Sequence, residues 1–439
     1  MTVYFEFYKC RGIDYFKIGD DFLKILVVGS GGREHTLVWK LAQSSHVDEI
    51  YCAPGNPGIA EIATCVDINA ENVAELVEFS REMKIDLTIV GPEVPLVLGI
   101  VDAFRDAKLR IIGPTKQAAE LEGSKSYSKH FMNKYNIPTA KFDEINTLEK
   151  GKIALGNYSY PVVIKADGLA AGKGVFICNS LSEAEASLET IMKDNAFGDA
   201  GSKVVIEEFL EGIETSVLCF IDNNSIIPMV SSQDHKRILD GDKGPNTGGM
   251  GTYSPNYVYT KEIERQVERE ILLPTLNGIK SEGMDYRGII FIGLMITKEG
   301  PKVLEYNVRL GDPETQVVLP RLETDLVEIF NAMLENKLSK TKIDWNNKAV
   351  VCVVLASKGY PEKYEKGKVI EGIKNVDDDI LVFHSGTAMK EGKIVTNGGR
   401  VLGVTARANT LKEAISKAYR NVEKVKFEGK VFRTDIAKK

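Results

Sequence analysis

Glu305, Asn307 and Arg309 stand at i, i+2 and i+4 in the run Lys302-Val303-Leu304-Glu305-Tyr306-Asn307-Val308-Arg309-Leu310-Gly311-Asp312-Pro313-Glu314, where an apolar stretch ends in charge. On a β-strand that spacing puts the three side chains on one face, with Leu304 and Val308 on the other. A carboxylate and an amide oxygen are hard donors of the kind Mg2+ accepts when substrate phosphates complete its shell. Arg309 adds a planar cation suited to phosphate oxygens. The same row also fits an edge strand with a solvated polar face, and these residues alone do not separate the two readings.

Upstream there are further candidates for binding phosphate. Tyr160-Pro161-Val162-Val163-Ile164-Lys165 reads as a buried strand ending in a lysine, and Ala166 to Gly174 follows with Gly168, Gly172 and Gly174 around a second lysine, Lys173. Such a loop can fold over phosphates and offer backbone N–H groups. It is not a Walker loop, which would need glycine at Asp167 and a hydroxyl at Gly174. An ordinary hairpin loop is the alternative; two lysines around glycines favour phosphate. Val204 to Glu214 is a strand broken by a turn. Backbone groups near Glu208, Phe209 and Leu210 can read an adenine edge, and Glu214 can accept ribose hydroxyls. Acidic residues in a surface turn account for the same letters. Asp234-His235-Lys236-Arg237 and the glycine-rich run 241–251 come next. Five glycines and a proline in eleven residues predict a loop with neither helix nor strand.

These groups need a scaffold. Lys24 to Val28 is a continuous apolar strand, followed by Gly29-Ser30-Gly31-Gly32 and a helical stretch from Glu34 to Gln43. The dinucleotide fingerprint GxGxxG would need glycine at Glu34, so NAD is not supported, and the turn either holds a phosphate or simply joins strand to helix. Strands at 49–52, 87–90 and 110–114 alternate with helices and end in glycine or proline. This predicts a doubly wound parallel sheet whose ligand edge gathers Gly31, Gly32, Pro92 and Glu93. Val3 to Tyr8 is a short strand candidate in an upstream extension. Leu121-Glu122-Gly123-Ser124-Lys125 opens a helix to Tyr135. Helices are expected over Thr260 to Leu273 and Asp325 to Leu338, and a strand over 288–296. Strands at 349–356 and 401–406 with a final helix from Leu411 to Lys424 read as a C-terminal domain.

Composition narrows the class. A chain of 439 residues, 43% hydrophobic and 27% charged, is globular and long enough for about three domains. Its formal net charge of -6 argues against a general nucleic-acid binder. Six cysteines without a CxxC pair fit reduced thiols in a cytoplasm, and the five histidines lack zinc-ligand spacing. No apolar run reaches the length of a membrane helix, and Met1 to Phe22 lacks the order of a signal peptide.

Taken together, the glycine-turn motif GSGGREH, then LEGSK, VIKADGLAAGKGV, IEEFLEGIE, DHKR, GPNTGGMG and LEYNVRLGDPETQ resemble the phosphoribosylamine–glycine ligase (glycinamide ribonucleotide synthetase) family of the ATP-grasp superfamily, over about residues 24–436. The glycine loops and the E-x-N strand are superfamily features; DHKR with GPNTGGMG and NVRLGDPETQ are more specific. The resemblance implies an α/β fold with four parts. These are an extension at 1–23, a doubly wound parallel domain at 24–124, a two-lobed ATP-grasp core at 125–328 with a lid lobe at about 146–213, and a small α+β domain at 329–439. It implies a monomer, with a homodimer as alternative, acting on glycine and 5-phosphoribosylamine. ATP is the co-substrate, with Mg2+ or Mn2+.

By position, Lys125 and Lys165 would contact ATP phosphates, the Gly168 to Gly174 loop would cover them, and Glu207, Glu208, Phe209, Leu210 and Glu214 would hold adenosine. Glu305 and Asn307 match the metal ligands. Arg309, Asp234, Lys236, Gly311, Asp312, Glu93, Pro92 and the Gly31-Gly32 turn fall where the other substrates are expected, with Lys125, Lys165, Arg309 and Asp234 as catalytic candidates. Phe291 to Met295 is uncharged, so the neighbouring strand offers no second metal carboxylate. Another ATP-grasp ligase of the purine pathway and a nucleotide-binding regulatory module are the competing readings.

Overall fold

The apolar run before the glycine turn forms β1 (Leu23–Gly29), and the turn leads directly into α1 (Gly32–Leu41). The computed structural model describes residues 22–170, 174–193 and 201–438. The expected strand Val3 to Tyr8, and Gly172 and Lys173 of the glycine loop, lie outside the described residues. β2 (Val47–Pro54), β3 (Thr64–Cys65), β4 (Leu87–Val90) and β5 (Ile111–Pro114) join β1 in the parallel order β5-β4-β1-β2-β3. Strand side chains alternate between two cores. Leu26 and Val28 pack with residues of α2 (Val73–Glu82), α3 (Glu93–Leu98) and α4 (Ile100–Asp106), whereas Ile25 and Val27 pack with Leu37, Val38 and Leu41 of α1. A sheet covered on both faces explains why β1 reads as an unbroken apolar run.

After α5 (Lys116–Gly123) and α6 (Lys125–Lys134) the chain builds a separate antiparallel sheet. Its strands are β6 (Phe142–Ile145), β7 (Val162–Ala166), β8 (Val175–Cys178) and β9 (Val204–Glu208), in the order β6-β9-β7-β8, with α7 (Leu148–Leu155) and α8 (Leu181–Met192) on it. Leu155, Ile164, Leu188 and Ile206 are among the residues of its own core. The glycine loop connects β7 to β8 as a hairpin: Lys165 lies opposite Val175, and the Ala166 N–H donates to the Gly174 carbonyl at 2.8 Å.

β10 (Ile213–Ile221), β11 (Ile226–Pro228), β16 (Tyr286–Thr297) and β17 (Gly300–Asn307) return to the first sheet. β16 pairs with β5 through Tyr286–Pro114 and Arg287–Gly113, so one sheet of nine strands runs from the glycine turn to the Glu305 strand. A Cβ at Gly288 would sit 3.1 Å from the Gly113 Cα, so the junction needs glycine.

Two sequence expectations give way here. Residues 241–251 are not all loop: β13 (Arg237–Leu239) pairs with β14 (Lys243–Asn246) in a hairpin. Gly241 and Asp242, both at positive φ, make its turn. β14 is exposed throughout and pairs on one side only, which tolerates Pro245. The helix expected to stop at Leu273 continues instead from α9 (Lys261–Val267) through a wider turn at Glu268–Leu272 into α10 (Leu273–Ser281). Pro274 follows directly on that wider turn, inside the continuous helix, where it has no N–H to give to the ladder.

α11 (Thr315–Val318) and α12 (Leu326–Leu334) lead to the last sheet, of β18 (Ala349–Ser357), β19 (Ile380–His384), β22 (Arg400–Ala408) and β23 (Lys430–Val431), with the β20 (Thr387–Lys390) and β21 (Lys393–Thr396) hairpin beside it and α13 (Leu411–Val422) packed on it. This sheet takes in two strands from far upstream, β12 (Gln233–Asp234) and β15 (Gly251–Ser254), in the order β12-β15-β18-β22-β19. Among the described residues no helix is long and apolar enough to cross a membrane.

The seam between α1 and the last sheet is built on neutral histidines. The His384 N–H donates to His35 Nδ1 at 2.8 Å, and Asn56 Nδ2 donates to the His384 carbonyl at 3.0 Å. Burial, with His384 beside it, pushes the His35 pKa down to about 3, and burial pushes that of His384 to about 4. The unfolded chain therefore binds more protons than the folded one below about pH 6.5, and stability falls as pH drops toward 4. Urea unfolding across pH 7.5 to 4.5 is expected to show this slope, at most about 1.4 kcal/mol per pH unit for each histidine. His35→Gln should have a shallower slope; an unchanged one would remove His35 as its source.

Candidate active site

The Glu305 strand carries an irregularity that matters. Glu305 lies opposite Gly293 and Val303 opposite Leu294, so Leu304 is an extra residue without a cross-strand partner. The even alternation expected from sequence is broken there: Val303, Tyr306 and Val308 are buried, while Glu305 and Asn307 share the open face. The carbonyl of the extra residue is available to Lys165, whose Nζ donates to it at 3.3 Å.

Lys165 is held from behind. Glu207, 2% exposed, places one carboxylate oxygen 2.9 Å from Lys165 Nζ and the other 2.9 Å from Lys129 Nζ. Burial opposes its charge, yet the two lysines keep its pKa below the usual carboxylate range. Lys129, pushed to about 8 by burial despite Glu207, also donates to Thr139 Oγ1 at 2.7 Å, and that hydroxyl donates to the Val303 carbonyl at 2.7 Å. The carboxylate of Glu207, a residue expected at adenosine, positions a lysine. Glu208 N–H is bonded to the Lys141 carbonyl at 3.0 Å, which leaves Phe209 and Leu210 as the open backbone of that linker.

Lys125 is placed by capping. Ser124 caps α6 through the Tyr127 N–H at 3.0 Å, and Asp167, just past β7, takes Ser124 Oγ at 3.0 Å and the Ser126 N–H at 2.7 Å. Lys125 Nζ thereby reaches the Gly168 carbonyl at 2.9 Å. Burial and Lys165 lower its pKa, against Glu305.

Opposite the lysines, Lys236 pairs with the Glu214 carboxylate. Arg309 Nη2 lies 2.8 Å from Glu122 and 3.0 Å from Asn307 Oδ1, and its Nε lies 3.4 Å from Glu93. The guanidinium expected at phosphate thus orients Asn307 between two carboxylates. Burial raises Glu122 to about 7 in spite of Arg309.

The Glu305 carboxylate makes no hydrogen bond or ion pair with any described residue. Burial would raise its pKa, but Lys236, Lys165, Lys125 and Arg309 together hold it below the usual range. An ionised, unpartnered carboxylate beside an oriented amide oxygen fits a hard divalent cation sharing its shell with phosphates. Among the described residues no group of three acidic, histidine or cysteine side chains could hold a metal, so these two would be its protein ligands.

The remaining candidates meet at the joint between sheets. Asp234 on β12 is raised well above the usual range by burial and by Glu314. Gly249, at φ +112, has no room for a side chain: a Cβ would lie 2.4 Å from Pro313 and 2.8 Å from Asp234 Oδ1. Arg400, on β22, donates to the Gly248 carbonyl at 2.5 Å and the Asp312 carbonyl at 2.6 Å, tying DHKR, GPNTGGMG and NVRLGDPETQ into one surface. At the first glycine turn, Gly31 N–H donates to Glu34 Oε2 at 2.5 Å, and Arg33 N–H points to Asp312 Oδ2 at 3.4 Å. Glu34, whose presence broke the dinucleotide pattern, fills the turn from inside; a Cβ on Gly91 would strike it. Pro92 starts α3 beside it, and Gly311 lies against Glu314.

Sequence reading missed Glu122, Lys129, Asp167, Glu314 and Arg400. Asp167 next to a glycine loop and Ser124 before a helix carried a capping signal; the others carried none, because their partners are distant in the chain.

A glycine hairpin, a lysine at a strand end, a capped lysine and an E-x-N strand facing one another define an ATP-grasp enzyme. Residues 123–315 match the ATP-grasp (A) domain of phosphoribosylglycinamide synthetase, residues 23–122 its N domain and residues 350–439 its C domain. The chain belongs to the phosphoribosylglycinamide synthetase family. It is 53% identical over 416 residues to the phosphoribosylamine–glycine ligase of Clostridium acetobutylicum, covering 95% of this chain and all of that one. The crystal structure of phosphoribosylamine–glycine ligase from Thermotoga maritima superposes with a TM-score of 0.82 at 37% identity, covering 94% of this chain and 100% of that chain. The biotin carboxylase domain of Hydrogenobacter thermophilus 2-oxoglutarate carboxylase, solved with MgADP and bicarbonate, shares the fold at 16% identity and a TM-score of 0.74, covering 94% of this chain and 92% of that one.

Glu207→Ala would leave Lys129 and Lys165 without their shared counter-charge. Denaturant unfolding is expected to show a loss of about 3 kcal/mol or more; a loss under about 1 kcal/mol would mean that the lysines need no such partner.

Proposed function

We propose that the chain joins glycine to 5-phosphoribosylamine at the expense of ATP, through glycyl phosphate, giving glycinamide ribonucleotide, ADP and phosphate. The observation that carries this reading is the unpartnered Glu305 carboxylate ringed by Lys125, Lys165, Lys236 and Arg309, in a chain whose relatives bear that activity in their names. In the first step a glycine carboxylate oxygen attacks the γ-phosphorus and ADP leaves. In the second the phosphoribosylamine nitrogen attacks the acyl carbon, phosphate leaves and the nitrogen gives up a proton.

No protein nucleophile is needed. Lys125 and Lys165 neutralise charge that builds on the transferring phosphoryl group, and their anchoring by Gly168 and Glu207 means they need not reorganise during the reaction. Adenosine lies along Phe209 and Leu210, with Glu214 and Lys236 at its ribose side. Glu305 and Asn307 would hold a Mg2+ or Mn2+ ion, which would supply positive charge to offset that of the phosphates. Glycine and phosphoribosylamine occupy the surface between the Gly31-Gly32 turn, Asp234 and Asp312. The proton that leaves the amine is carried away by water. The hairpin over Gly168 and the β13–β14 hairpin close the site against water, which would otherwise hydrolyse the acyl phosphate.

ADP release should require ATP, Mg2+, glycine and phosphoribosylamine together. Full turnover with glycine omitted would overturn the reading. Glu305→Ala is expected to lower turnover at least a hundredfold while urea stability stays within about 1 kcal/mol of the parent, because the cost of burying the charge offsets its attraction to the cations around it. Chelation with EDTA should stop the reaction and added Mg2+ restore it.

A further inference from the structure

A second polar cavity lies away from this site. Its volume is about 620 Å3, within the range of small-molecule pockets, and it opens between the end of α4, the start of β5, the start of β16 and the end of α12. Arg105, Arg110 and Arg287 line it, over an apolar wall of Leu109, Ile111 and Leu334.

Acids face all three guanidiniums, Glu335 and Asp102 only at a distance, and donors are left over. Asp285 serves two of the three guanidiniums, with Arg105 Nη1 at 2.8 Å and Arg287 Nε at 3.1 Å, and it also accepts from Asn223 Nδ2 at 2.9 Å. Arg105 Nη2 is buried with no hydrogen-bond partner. Arg110 donates to the neutral Asn331 Oδ1 at 2.6 Å and has no ion pair with a described residue. The cavity's other acid, Glu335, has its ion pair with Lys337 at 2.7 Å. A buried N–H without an acceptor costs free energy, and guanidinium groups match phosphoryl oxygens in geometry as well as charge.

We infer that this cleft binds a small phosphoryl-bearing molecule between Arg105, Arg110 and Arg287, with its less polar part over Leu109, Ile111 and Leu334. The site is separate from the one that holds Glu305. Arg287 and Gly293, the residue opposite Glu305, are six residues apart on β16, roughly 20 Å at strand rise. The ligand would bridge the parallel sheet, the strand that carries it into the ATP-grasp core, and the helix before the last sheet.

Titration calorimetry on the full chain tests this with two probes, inorganic phosphate and AMP, in four proteins: wild type, Arg110→Ala, Arg105→Gln and Lys125→Ala. The last removes an expected phosphate contact of the active site and leaves the cleft intact. One class of binding should weaken tenfold or more in Arg110→Ala and Arg105→Gln yet persist in Lys125→Ala. Arg110→Ala, whose side chain is exposed, should keep turnover within twofold of wild type. AMP binding at least tenfold tighter than phosphate would identify a nucleotide as occupant, and equal affinity would identify free phosphate; either result supports the site. Titrations of the Arg110 and Arg105 variants that match wild type, or binding that disappears altogether in Lys125→Ala, would overturn it and leave the arginines as internal ion pairing only.

Discussion

The candidate active site depends on how four cations are kept near one another around a single free carboxylate. Like charges in a partly dehydrated space repel strongly unless each has its own counter-charge or acceptor. Here the acceptors come from behind. Glu207 holds Lys165, Glu214 holds Lys236, Glu122 and Glu93 hold Arg309, and the Gly168 carbonyl holds Lys125. Glu305 is left over, ionised and facing the same space. The result is the cation-lined space around one ionised carboxylate on which the proposed function rests.

Backbone features and side-chain caps together bring those cations to one place. The extra residue at Leu304 turns a carbonyl toward Lys165, and Asp167 fastens the end of β7 to the start of α6, so two lysines from different elements arrive side by side. The strand junction between β5 and β16, where the Gly288 backbone closely approaches that of Gly113, makes the glycine-turn sheet and the Glu305 strand parts of one sheet. β15 pairs with β18, so Asp234 and the turn around Gly249 rest on the last sheet. Arg400 then reaches from that sheet to both Gly248 and Asp312. The last sheet is therefore part of the site's wall.

Much of the fold was legible because its signals are local. The apolar runs of β1, β4, β7 and β18, the glycine turn before α1 and the helix after Thr410 each depend on residues within a few positions of one another. The hairpin at Arg237–Asn246 was not, because exposed strands paired on one side have no apolar alternation to betray them. Candidate ligands such as Lys165, Glu305 and Asn307 could be named from type and spacing. The orienting pairs could not: that Glu207 faces Lys165 and Glu122 faces Arg309 is not shown by a sequence, which does not say which charge faces which.

The sequence by itself determined most of the segments that become strands and helices and which side chains can bind a metal or a phosphate, since these follow from short-range sterics and chemical type. It also carried the family motifs. Only the tertiary structure decided that Glu305 stays free while Glu207, Glu122 and Glu214 do not. That distinction rests on charge pairs formed between residues tens to hundreds of positions apart, whose strength depends on distance and burial and on nothing written within any one segment.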